Sequence, residues 1–162
     1  MDFLNKMKTL AKEDIKTIIL PEGNEPRTLN ATAEILKEGF AKVVLVGNPD
    51  EIQAAAKEQG VSIEGAQIIN PETSDKLEEY AHAFFKMREK KGMTPEKALA
   101  TMKDPIYYGI MMLENGEADG LVSGAVHSTA DTLRPALQIL KTAPGTKYVS
   151  GFMVMCVPDC EY

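Results

Sequence analysis

Thiols and imidazoles are scarce: the 162 residues include two cysteines and two histidines. Cys156 and Cys160 are close neighbours in the chain. Extended backbone puts their Cα atoms roughly 13 Å apart, beyond the ~7 Å limit for a disulfide. Neither His82 nor His127 has a neighbouring Cys or His to complete a zinc set. A reduced, cytoplasmic protein with no metal is the expectation. Positive charge is also in deficit, with a net charge of −6 and a pI near 5.0. This argues against a nucleic-acid surface, which needs a broad basic field, but leaves room for a local cationic pocket. Long apolar runs are missing too. Residues 152–157 are far too few to span a bilayer, and the N-terminus has no signal-like apolar core, so no membrane role is expected. That N-terminus reads instead as an amphipathic helix with Phe3, Leu4, Met7 and Leu10 on one side.

What is present describes one globular α/β unit. Apolar residues make up 44% and charged residues 26%, enough of each for a packed core under a solvated surface. "KTIIL" (16–20) and "KVVLVG" (42–47) are short β-branched runs, the second continuous as in a strand buried on both faces. A weaker strand is expected at 67–69, and "DGLVSGA" (119–125) reads as another. Helices are expected between them: from Pro26 after a capping Asn24, from Pro49, over 75–91, from Pro95 and from Pro105. "IYYGIMML" (106–113) packs a helix into the core, and Glu114, Glu117 and Asp119 read as solvated turn acids. Alternation of this kind predicts a mostly parallel sheet. Residues 141–162 shift in composition, a Pro-Gly turn leading to the apolar "VSGFMVMCV" (149–157). That segment reads as a two-faced strand, expected to pair with another copy or to fold back on the domain, in a chain that looks cut at Tyr162.

"SGAVHSTADTLRP" (123–135) carries the chemistry. It leaves a strand at its carboxyl end, where α/β proteins collect ligands. Gly124 and Ala125 permit close approach to the backbone, while Ser128 and Thr129 add hydroxyls ahead of a helix N-terminus that favours anions. Two readings stand for Ser128, an anion contact or an S-x-x-D capping box with Asp131. Arg134 near a helix start opposes the dipole, by roughly a few tenths to 1 kcal/mol, unless an anion is bound there. Its readings are anion ligand or surface arginine. Arg88 in "KMREKK" is explained on residues alone by the dipole at a helix C-terminus. His127 and Ser128 do not suggest a hydrolase, because adjacent side chains diverge and no G-x-S-x-G elbow occurs.

"LPEGNEPRTLNA", "DPIYYGIMMLENGEADGLVSGAVHSTADTLRPALQIL" and "VPDCEY" resemble the phosphate acetyltransferase family, with phosphate butyryltransferase a relative. The resemblance runs along the whole chain but covers only the N-terminal half of that family. It implies a three-layer α/β/α sandwich like that of isocitrate and isopropylmalate dehydrogenases. Residues 1–145 would form most of a first domain and 146–162 the start of a second, in a homodimer. The implied reaction joins acetyl-CoA and phosphate to give acetyl phosphate and coenzyme A, with CoA as substrate and no cofactor required. Ser128, Thr129 and Arg134 match the family's phosphate and CoA cleft, and Arg88 matches an arginine associated with a CoA phosphate. Gly124 and Cys160 fall near the cleft. The family's serine, arginine and aspartate for the oxyanion and base lie outside the residues matched, so no complete catalytic set is expected here. The alternatives are a non-catalytic acyl-CoA or phosphate-binding module, and a nicotinamide-dependent dehydrogenase of the same fold. The latter lacks its acidic metal ligands here.

Overall fold

The computed structural model describes residues 3–157. The chain opens with the amphipathic helix α1 (Phe3–Glu13), whose apolar face is exposed. Strand β1 (Lys16–Leu20) follows, then α2 (Pro26–Glu38), β2 (Ala41–Val46), α3 (Pro49–Gln59) and β3 (Gln67–Ile69). Helices α4 (Leu77–Arg88), α5 (Pro95–Met102) and α6 (Pro105–Glu114) come next, then β4 (Gly120–Leu121) and α7 (Thr129–Ile139). All strand pairs are parallel, in the order β3-β2-β1-β4.

The apolar run of β2 explains the layering. Val43 and Leu45 face one side, meeting Leu29 of α2 and Ile52 and Ala56 of α3. Val44 and Val46 face the other, meeting Tyr80 and Phe84 of α4, Met102 of α5, Met111 of α6 and Ile139 of α7. A period of two thus serves two cores, and the three-layer α/β/α expectation holds. Helix α6 lies very close to the sheet: a Cβ on Gly109 would stand 2.9 Å from Leu121 Cδ1 and 3.0 Å from Ile19 Cγ2.

Several expectations are corrected. Glu25, not Asn24, caps α2, its carboxylate accepting from the Thr28 N–H at 3.0 Å. Pro26 fixes the first helical position, which leaves the residue before it as the extended cap. The helix expected over 75–91 stops at Arg88, where φ −122° and ψ 0° leave the helical region, and a 3-10 turn (Glu89–Lys91) completes it. Glu117 is exposed as expected but is not without partners: the Tyr80 hydroxyl and Lys76 Nζ both bond it. Asp119 accepts from the Thr17 N–H at 2.8 Å, tying β4 to the start of β1. Strand β4 is two residues rather than 119–125, because the chain beyond it turns toward Glu22.

Residues 149–157 form no strand and do not fold back on the domain; Phe152 is 90% exposed and Met153 88%. A strand needs a partner backbone, and the open edges of the sheet, β3 and β4, offer three and two residues.

Candidate functional site: the loop after strand β4 and helix α7

The sheet order places the topological switch between β1 and β4, since the chain leaves β1 toward β2 and returns on its other side. Ligands of open α/β sheets collect in such a crevice, beyond the carboxyl ends of the strands. Two connections meet there, 21–25 after β1 and 122–128 after β4.

Glu22 joins them. Its buried carboxylate accepts four consecutive amides: Gly124 and Ala125 at 2.9 and 2.8 Å on Oε2, Val126 and His127 at 2.9 Å each on Oε1. His127 Nδ1 also lies 2.8 Å from Oε1. Burial alone would raise the Glu22 pKa, but bonds from the Val126 amide, the His127 ring and the neighbouring amides bring it down to about 2. Gly124 has φ +110°, a conformation that a side chain would strain. From α2, the Arg27 guanidinium bonds the Ala125 carbonyl. The amides that the sequence offered to a ligand are therefore already filled, by a carboxylate of the same chain.

Ser128 caps α7. Its Oγ accepts from the Asp131 N–H at 3.2 Å and donates to Asp131 Oδ2 at 2.6 Å, so the capping box forms. Thr129 opens the helix and is exposed. Arg134 is therefore past the first turn, where Asp131 Oδ1, 3.4 Å from Nη1, offsets the dipole. The Ser128 hydroxyl bond, followed by the Arg134 charge, lowers the Asp131 pKa. His127 faces Glu22 while Ser128 faces Asp131, which is the expected divergence.

Arg88 approaches from α4. Its Nε is buried without a hydrogen-bond partner among the described residues. Tyr107 stands in the first turn of α6. Burial raises the Tyr107 pKa, while the charges of both Arg134 and Arg88 oppose that rise. The Tyr107 hydroxyl donates to Gln138 Oε1 of α7 at 3.2 Å. Arg88 of α4 and Arg134 of α7 thus both lie within electrostatic range of one phenol, as do Asp104 and Asp131. By contrast, the groove of about 290 Å³ between α2 and the β4 edge is walled by Ile18, Leu20, Ala31, Ile35 and Val122 and is mostly apolar. It suits an anion poorly, although the Ser123 hydroxyl at its rim is buried and unpartnered among the described residues.

The family model described as "Phosphate acetyl/butaryl transferase" matches residues 2–162. The chain belongs to this family. It is 56% identical over 162 residues to a phosphate acetyltransferase of Acetivibrio thermocellus, covering 100% of this chain and 48% of that protein. It is 45% identical over 161 residues to the phosphate acetyltransferase of Escherichia coli, covering 99% of this chain and 22% of the relative. Among solved structures, the EutD phosphotransacetylase from Staphylococcus aureus superposes with a TM-score of 0.81 at 37% identity, over 90% of this chain and 44% of that one. A phosphotransacetylase from Streptococcus pyogenes gives 0.81 at 36%, over 91% and 46%. The chain spans about half the length, or less, of the relatives it matches.

In this member of the phosphate acetyl/butyryl transferase family, Gly124, Ser128, Thr129 and Arg134 share the loop and helix after β4. Arg88 and Arg134 both act electrostatically on Tyr107. Cys160 lies outside the described residues. Sequence reasoning missed Glu22, Arg27, Tyr107 and Gln138. The available signals were an acid in the turn directly after β1 and a tyrosine in the first turn of a helix. No helix among the described residues is long and apolar enough to cross a membrane.

Proposed function

We propose that this chain supplies the phosphate- and CoA-binding surface of a phosphate acetyltransferase. The reaction is acetyl phosphate plus CoA giving acetyl-CoA plus phosphate. The CoA sulfur attacks the acetyl carbonyl, the thiol proton passes to a base, and the C–O bond to phosphate breaks. CoA enters as substrate and no further cofactor is required. One observation carries the reading: the Arg88 Nε is buried and unpartnered among the described residues, and the charges of Arg88 and Arg134 both act on Tyr107. A desolvated guanidinium donor without an acceptor is costly, and a phosphate oxygen would satisfy it. Arg134, half-exposed and held among the described residues by a 3.4 Å contact to Asp131, can exchange that carboxylate for a phosphate. Ser128 and Thr129 stand at the N-terminus of α7, where developing negative charge is favoured. Residues 1–145 belong to the first domain and 146–162 begin a second, in a cytoplasmic homodimer.

The base and the oxyanion donors come from outside this chain, so it binds without turning over. Calorimetric titration of the 162-residue chain with CoA and with inorganic phosphate tests this. Arg88→Ala and Arg134→Ala should each weaken CoA binding by about 1.5–3 kcal/mol, the size of a charged hydrogen bond. Arg134→Lys should recover only part, because an ammonium cannot fork onto two oxygens. A parent chain that binds neither ligand refutes the site. Acetyl transfer at the rate of a full-length enzyme refutes the placement of the chemistry elsewhere.

A further inference from the structure

Four consecutive backbone amides directed at one side chain are unusual, since turns ordinarily satisfy their amides locally or with water. Residues 124–127 give all four to Glu22, two on each oxygen. Only a carboxylate accepts on both oxygens with no donor of its own. The loop is also held from its carbonyl side, by Arg27 on Ala125. The next residue is Ser128, the cap of α7. We propose that Glu22 is a positioning residue: by holding the amides of residues 124–127 it fixes where α7 begins, and so where Ser128, Thr129 and Arg134 stand. Its carboxylate fills the loop in place of a ligand, which leaves an incoming phosphate to the arginines and to α7. The proposal rests on the anion-binding role assigned to those residues above, but its structural half can be read without any ligand.

That half is tested by amide hydrogen exchange followed by NMR on the unmodified chain. Gly124 and Val126 are exposed residues, yet their amides should exchange slowly, unlike those of the equally exposed 147–151. Glu22→Gln places an NH2 group among donors and leaves one oxygen for four amides. Exchange at 124–127 should then accelerate roughly 10- to 100-fold, while the amides of β2 stay protected and report that the fold survives. CoA affinity should fall with it, roughly tenfold or more. In Glu22→Ala, added formate should enter the vacated space and restore both loop protection and CoA affinity, which a merely structural loss would not allow. Fast exchange at 124–127 in the parent overturns the proposal and needs no variant to fold. So does a Glu22→Gln loop as protected as the parent's, unchanged CoA affinity in that variant, or failure of formate to restore either property. If the parent loop is protected but the chain binds no CoA, the binding role assigned to the site fails, and with it the positioning role.

Discussion

Replacing Gly109 with alanine sets two effects of known size against each other. Alanine in a helix interior gains about 0.8–1.0 kcal/mol over glycine. Against that, the new Cβ would meet Leu121 Cδ1 at 2.9 Å and Ile19 Cγ2 at 3.0 Å. Leu121 is half-buried on the edge strand, so its terminal methyl yields at a smaller cost, though not a zero one. Ile19 is fully buried and β-branched, so its Cγ2 has no free rotamer to take. Overpacking of this kind costs about 1–3 kcal/mol, which outweighs the propensity gain and leaves a net loss of roughly 1 kcal/mol. For a chain of this size that is a fall in Tm of about 2–4 °C. Urea unfolding followed by circular dichroism measures it. The control is Leu121→Ala: with Cδ1 gone, the same glycine replacement should cost less, giving a coupling of about 0.5–1 kcal/mol. A Gly109→Ala chain more stable than the parent would refute the close approach of α6 to β1, and additive effects would refute the part played by Leu121.

Two further outcomes are expected. Glu22 is ionised in the folded chain down to about pH 2, below the ordinary value of 4.5. Its contribution, on the order of 3 kcal/mol, should be fully present above about pH 4.5 and lost as the pH falls through 2; urea midpoints from pH 7 to 2 should show that slope, and Glu22→Gln should flatten it. The exposed residues 149–157 include six large apolar side chains that are each at least 55% exposed, and burying each is worth about 1.5–3 kcal/mol. The chain should therefore self-associate through that segment, so sedimentation showing a monomer at all concentrations, or association unchanged when 149–157 is deleted, would contradict this.

Local patterns were the legible part. β-branched runs at 16–20 and 42–47, proline at the first helical position and the Ser128–Asp131 spacing each encode their structure within a few residues. Errors arose where distant contacts decide. Glu22 is more than 100 residues from the amides it holds, and nothing in "PEGNEP" announces that. Shortening of β4 and the bonds of Tyr80 and Lys76 to Glu117 are consequences of such contacts, invisible to periodicity. Tyr107 was hidden inside an apolar run, where its hydroxyl looked incidental to packing. Residues 149–157 misled in the opposite sense: their pattern is that of a buried strand, but a pattern cannot supply the backbone that a strand must pair with.

The bond between Glu22 and residues 124–127 has a consequence for the order in which the chain assembles. β1 can pair with β2 as soon as residue 45 is made, a short loop closure. Its other edge waits for Gly120 and Leu121, and the Glu22 carboxylate waits for His127. During synthesis at about 5–20 residues per second, β1 therefore spends several seconds with one side unpaired. An open strand edge in that interval is where a nascent chain pairs wrongly. The crevice between β1 and β4 is thus among the last regions to close, and Glu22 is desolvated only when the loop that neutralises it arrives.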